Sequence, residues 1–238
     1  MLHIKKFFSN YSDKTKFFLN ILIILFALVT FFYVAQKVQS GSTTNIDYYV
    51  LNSLRADNPT SEPLGSNWLT IIMTDITAFG GATIIFFVTA SVVMYMLLKK
   101  NYSFLLLILI ATIGGVVISL GLKEFFSRER PPIEYHLITV KSLSFPSGHA
   151  TMASVVYLTQ GALFAKIQSV KTIRFFVLAV SVILVFLIGI SRIYLGVHYP
   201  TDVIAGWAVG TAWASFCWLV VKNFQKRYKE KFFDENKI

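Results

Sequence analysis

Six stretches of this chain are apolar enough to cross a bilayer, and that limits its fold more than any other feature. They cover residues 17–38, 68–98, 104–122, 149–165, 175–190 and 203–221. A spanning helix needs about 20 predominantly apolar residues, and only helices or closed barrels satisfy their backbone in hydrocarbon. The runs lack the strict alternation of a barrel strand, so the expected fold is all-α, a polytopic bundle of six transmembrane helices. Composition agrees. The 238 residues are 55% hydrophobic and 14% charged, against roughly 25% charged in soluble domains. That excludes a disordered chain and leaves too little polar surface for a soluble multidomain enzyme. A single cysteine, Cys217, rules out an internal disulfide or a multi-cysteine metal site. The second stretch is long enough for a marked tilt or an added interfacial turn. The fourth carries Thr151, Ser154, Thr159 and Gln160 and reads as a helix packed inside the bundle.

The net charge of +10 is explained by where the charges fall. With six spans both termini share one side, and most of the 22 lysines and arginines are there. They include Lys5, Lys6, Lys14, Lys16, Lys99, Lys100, Lys166, Lys171, Arg174 and the run from Lys222 to Lys237. On the opposite side acids and bases balance. The positive-inside rule therefore places both termini in the cytoplasm, and nucleic acid is not needed to explain the excess. The first apolar run exceeds the 7–15 residues of a signal peptide, so it reads as a retained span. Residues 39–67 form a polar outer loop punctuated by Pro59, Pro63 and Gly65, and the tail 222–238 is a basic segment suited to anionic lipid. No repeat is visible; residues 1–238 read as one membrane domain.

Three polar clusters interrupt the apolar pattern. Lys123, Arg128, Arg130 and Pro131 follow the third span. Pro146-Ser147-Gly148-His149 precedes the fourth, and Ser191, Arg192, His198 and Asp202 lie between the fifth and sixth. In a six-span topology these connections share one membrane face, the outer one, so a common site is possible. Lys123, Arg130 and Arg192 are cations at bundle ends, where uncompensated charge is costly, and the arginine fork suits phosphate oxygens. Ser147 and Gly148 open a helix whose free N–H groups suit the same anion. His198 and Asp202 are four apart around Pro200. On a helical turn they share a face, so Asp202 can orient one imidazole nitrogen and leave the other free to attack phosphorus. His149 can then act as general acid. The cations supply transition-state stabilisation, so neither metal nor other cofactor is required.

Lys123-x6-Arg130-Pro131, Pro146-Ser147-Gly148-His149 and Ser191-Arg192-x5-His198-x3-Asp202 resemble the three signature motifs of the type-2 phosphatidic acid phosphatase superfamily. That family includes bacterial phosphatidylglycerophosphate and undecaprenyl pyrophosphate phosphatases. The resemblance covers 123–202 and implies His198 as the nucleophile that becomes phosphohistidine, oriented by Asp202. It implies His149 as acid and then base, with Lys123, Arg130, Ser147, Gly148 and Arg192 holding the phosphate. Arg128 is a secondary contact, because Ser127-Arg128 resembles a Gly-Arg pair often found there. The serine leaves the local turn geometry open.

The expected activity is metal-independent hydrolysis of a membrane lipid phosphate or pyrophosphate at the outer face of a bacterial cell membrane. Undecaprenyl pyrophosphate, phosphatidylglycerol phosphate and phosphatidic acid are the candidate substrates. Lipid-to-lipid phosphotransfer would use the same residues. A transporter or an anionic-lipid-binding scaffold is the non-enzymatic alternative, but a transporter favours midplane polar groups and repeats. His136 reads as a solvated loop residue. Asp75, two turns into the second span, needs a partner there: either it bonds Thr74 or Thr77 in a structural role, the favoured reading, or it faces the site and pairs with a cation. Gly206-x3-Gly210 fits either a dimer seam or close packing within the bundle, and no oligomeric state follows.

Overall fold

A computed structural model describes the backbone of residues 2–56 and 62–235 and the side chains of residues 14–56 and 62–223. Pro59 of the outer loop, and the side chains of the basic tail past residue 223, lie outside these. Among the described residues the chain forms eight helices: α1 (Leu2–Gln39), α2 (Thr44–Ser53), α3 (Asn67–Ala78), α4 (Ala82–Leu98), α5 (Tyr102–Phe126), α6 (Gly148–Ile167), α7 (Lys171–Tyr194) and α8 (Pro200–Glu235). Within the same residues one 3₁₀ turn covers Ile133–Tyr135, and no strand is present among them.

The all-helical expectation holds, but the count of six spans is met only in part. Four helical segments are long and apolar enough to cross a membrane: Lys14–Gln39, Tyr102–Phe126, Lys171–Tyr194 and Pro200–Asn223. The stretch read as one span over 68–98 is two helices, α3 and α4, meeting at 46°. Gly80 and Gly81 lie at the elbow, and the Tyr157 hydroxyl donates to the Phe79 carbonyl at 2.7 Å. A side chain at Gly80 would bring its Cβ to 2.6 Å from Ile188 and 3.1 Å from His149, so the elbow packs directly on the core. α6 does not qualify by apolarity because its polar residues face protein rather than lipid. Thr151, Ser154, Thr159 and Gln160 are all buried, and the Thr151 and Ser154 hydroxyls bond carbonyls four residues back.

α6 is the central post, packed by α5, α7 and α8, while α1 covers α8 and α3 covers α7. The Gly206-x3-Gly210 stripe belongs to the α6–α8 contact. A Cβ at Gly206 would sit 2.8 Å from the Ser147 carbonyl oxygen, and one at Gly210 would sit 2.5 Å from that of Thr151. The stripe brings two backbones together inside one chain, as small residues do between membrane helices. The segment read as a polar loop over 39–67 contains a helix: α2 lies within it and buries Asp47 and Leu51.

Gly210→Leu should lower stability by about 1–3 kcal/mol through overpacking. Gly121, which faces open space, supplies the control, since Gly121→Ala should leave stability unchanged or raise it. Thermal unfolding in detergent checks both.

Candidate active site

The last turn of α5 carries Lys123, and the segment beyond it carries Arg128 and Arg130. Ser147 is the N-cap of α6, its oxygen accepting from Ala150 N–H at 3.5 Å, with Gly148 and His149 in the first turn. The last turn of α7 supplies Arg192, the following loop His198, and the first turn of α8 Asp202. These elements meet at one end of the bundle. Ser147 N–H donates to the Asp202 carbonyl at 2.9 Å, joining the starts of α6 and α8. A Cβ on Gly148 would lie 3.6 Å from Lys123 Cε.

His198 is buried, and its two ring nitrogens have different surroundings. Nε2 is 3.1 Å from an Arg130 guanidinium nitrogen. A guanidinium only donates, so Nε2 is the acceptor and the ring proton belongs on Nδ1. That nitrogen faces Asp202 Oδ2 at 3.3 Å. The same carboxylate oxygen accepts from Ser144 Oγ at 2.5 Å and from Tyr199 N–H at 2.9 Å. The imidazole is thus held with its lone pair on Nε2. Burial, followed by Arg130, Arg192, Lys123 and His149, holds the His198 pKa well below its usual range, so the ring stays neutral.

The arginines fall into two groups. Arg128 is saturated by carboxylates: one terminal nitrogen bonds Asp202 Oδ1 at 2.6 Å and the other Asp47 Oδ2 at 2.8 Å, with its plane 4.3 Å from the Tyr199 ring. Lys123, Arg130 and Arg192 make no ion pair among the described residues. Lys123 bonds the Leu143 carbonyl. Arg130 bonds the Ser142 side chain at 3.0 Å and the Val197 carbonyl. Arg192 bonds Thr77 Oγ1 at 2.9 Å, while its Nε is buried with no partner. Three cations without an ion-pair partner among the described residues thus meet at one end of the bundle, an arrangement whose charge an anion can complete. No group of three or more His, Cys, Asp or Glu side chains that could hold a metal occurs among the described residues.

Beneath the cations lies an apolar cavity of about 630 Å³ between α4, α5 and α6. Ile85, Phe86, Val93, Ile113 and Val116 line it, and Lys123, Gly148 and His149 stand at its head.

Other sequence expectations fare differently. Ser127 takes a left-handed conformation at φ 45° as the C-cap of α5, the geometry glycine adopts most readily. The serine keeps the turn. His136 is half-buried rather than solvated; its ring bonds the Pro131 backbone, and Nε2 is enclosed without a partner. Asp75 is exposed, and neither threonine serves it: Thr74 bonds the Thr70 carbonyl and Thr77 accepts from Arg192. Sequence reasoning missed Asp47, Ser144 and Thr77. Ser144 lies in the same short loop as Pro146, but nothing in the sequence set it apart from Ser142. Asp47 is the lone acid of a short amphipathic helix inside a polar loop, with no motif around it.

Comparison with known proteins agrees with this geometry. Residues 102–226 match the family model described as PAP2 superfamily. The chain belongs to the PAP2 superfamily. Among curated relatives, the phosphatidylglycerophosphatase B of Bacillus subtilis is 31% identical over 172 residues, covering 69% of this chain and 80% of that protein. An undecaprenyl-diphosphatase of Sulfolobus acidocaldarius is 41% identical over 73 residues, 31% of each chain. Among solved structures, a transmembrane PAP2-type phosphatidylglycerolphosphate phosphatase from Bacillus subtilis superposes with a TM-score of 0.72 at 25% identity. The match covers 86% of this chain and 96% of that one.

Neutral His198 gives a PAP2 chain a defined acid sensitivity. Its folded pKa is depressed, so below its ordinary value of about 6.5 the unfolded state binds a proton that the folded state does not. Stability is therefore fully present above about pH 6.5 and falls as the pH drops below it. Thermal unfolding across pH should show this loss, and His198→Asn should make it shallower.

Proposed function

We propose that the chain is a six-span membrane phosphatase, with α6 as the buried sixth span, that hydrolyses a lipid phosphate or pyrophosphate at the outer membrane face. No metal takes part, and the intermediate is a phosphohistidine. The observation that carries this is the set of unpaired cations, Lys123, Arg130 and Arg192, gathered around the neutral Nε2 of His198. Such a set is complementary to phosphate oxygens and stabilises the charge of a five-coordinate phosphorus.

In the empty site Arg130 donates to the His198 lone pair. An arriving phosphate draws Arg130 to its own oxygens and frees Nε2. The orphaned Nε of Arg192 and the Ser147 hydroxyl complete the cradle, with Gly148 allowing close backbone approach. His198 Nε2 then attacks phosphorus as the bond to the leaving oxygen breaks, and His149 gives that oxygen a proton. The imidazolium formed on His198 is balanced by Asp202. In the second half-reaction His149 takes a proton from water, which attacks the phosphohistidine and releases phosphate and free His198. Arg128, saturated by Asp47 and Asp202, takes no phosphate; it positions Asp202.

The cavity between α4, α5 and α6 gives the substrate its class. Its apolar walls suit lipid chains, and its head meets the cations, so the lipid enters sideways with its phosphate toward His149. The relatives' activities support phosphatidylglycerol phosphate and undecaprenyl pyrophosphate as substrates. The bacterial relatives and the lysine-rich termini support a bacterial cell membrane with both termini in the cytoplasm.

Purified protein with EDTA should release phosphate from these lipids. His198→Ala should reduce the rate by at least about a thousandfold, and vanadate should inhibit. Arg192→Lys should cost on the order of a hundredfold, because an ammonium cannot replace the planar fork. Activity that survives His198→Ala overturns the mechanism, and a strict need for added metal overturns the metal-free reading.

A further inference from the structure

We infer that Asp47, on the short outer helix α2, is a positioning residue for the reaction, holding the start of α8 and Arg128 so that Asp202 faces His198. The inference rests on the function proposed above and adds a residue that lies far from all three motifs.

The start of α8 needs an outside partner. Its N-cap is Tyr199, followed by Pro200, Thr201 and Asp202 at the first three helical positions. The usual capping box has a Ser or Thr at the N-cap and an acid three residues on. Asp202 performs the second half, accepting the Tyr199 N–H at 2.9 Å. Tyrosine cannot perform the first half; the Asp202 and Val203 N–H groups reach the Tyr199 carbonyl at 3.0 and 3.3 Å, which leaves the Thr201 N–H without a local acceptor. Asp47 supplies one from 154 residues away in sequence. Its Oδ1 accepts Thr201 N–H at 3.2 Å, and its carboxylate also accepts the Thr201 hydroxyl at 2.8–2.9 Å. A carboxylate at a helix N-terminus also meets the favourable end of the dipole.

Asp47 also holds Arg128. The guanidinium bonds Asp47 Oδ2, Thr201 Oγ1 and Asp202 Oδ1 at 2.8, 2.9 and 2.6 Å. Asp47, Thr201 and Arg128 close a ring that is fused to Asp202. Asp47 is fully buried, so water cannot replace its bonds. Without its charge, Arg128 keeps Asp202 as its one carboxylate partner and is drawn toward the neighbouring phosphate site. Asp202 then loses the fixed orientation that keeps Oδ2 on His198 Nδ1. Asp47 touches neither His198 nor any of the three unpaired cations, so its effect falls on turnover rather than on substrate binding.

The test uses the full-length protein in detergent with a lipid phosphate substrate. Asp47→Asn removes the charge and keeps the shape. It should lower kcat by on the order of 10- to 100-fold, the range typical of residues that orient a reacting ligand, with KM nearly unchanged. Asp47→Glu should recover part of the loss. In an Arg128→Gln background, Asp47→Asn should cost less than it does in the wild type, because the part of its effect that runs through the guanidinium is already lost. A wild-type kcat in Asp47→Asn overturns the inference. So does a loss confined to KM, or losses that multiply independently with Arg128→Gln. Should Asp47→Asn fail to fold, Thr201→Val, which removes only the hydroxyl link, decides on the same criterion: lower kcat at constant KM supports the role, and unchanged kcat overturns it. Failure of the underlying phosphatase reading shows separately, as activity that persists in His198→Ala.

Discussion

The hydrogen bond from Ser147 N–H to the Asp202 carbonyl joins the first turns of α6 and α8, and the site depends on it. Each helix begins with part of the proposed site, Ser147 and Gly148 on α6 and the Asp202 carboxylate on α8. Neither start can shift without moving the other. The bond is possible because Gly206 and Gly210 let the α8 backbone lie against that of α6 with no side chain between them. The arrangement also explains the most polar helix of the bundle. α6 carries buried threonines, a serine and a glutamine because it is enclosed by other helices, and the Thr151 and Ser154 hydroxyls are satisfied by carbonyls four residues back.

Around that joint, charge is sorted by neighbour. Arg128 meets two buried carboxylates and becomes a fixed part of the scaffold. Lys123, Arg130 and Arg192 meet only carbonyls, hydroxyls and one imidazole, so their charge remains available. Buried cations without counter-ions are destabilising in themselves, and a protein keeps them where a ligand of opposite charge completes the site. Burial first, and then the same cations, keep His198 neutral, the form with a lone pair to donate. In the proposed mechanism the one arrangement therefore serves both the phosphate cradle and the nucleophile.

Much of this was legible in the sequence because it depends on spacing along single segments. The four-residue offset of His198 and Asp202, Ser147 ahead of an apolar run, and cations at span ends are local patterns with direct physical meaning. The elbow between α3 and α4 was less legible, since Gly80-Gly81 inside a hydrophobic run fits either a tilted span or a break. What decides it is packing of the glycines on Ile188 and His149. His136 and Asp75 were read by hydropathy alone, and burial in the folded chain placed each differently: His136 is enclosed, and Asp75 faces outward.

The sequence by itself determined the class of fold, the long apolar segments that form helices though not α2 or the break between α3 and α4, the family and the residues of the three motifs. Hydrophobic length and short-range periodicity are properties of neighbouring residues. The tertiary structure alone decided which cations are free and which are paired, because pairing depends on distance between segments far apart in the chain. Arg128 and Arg130 are two residues apart and look alike in sequence. Asp47 lies within reach of one and not the other, so Arg128 is held by two carboxylates while Arg130 makes no ion pair among the described residues.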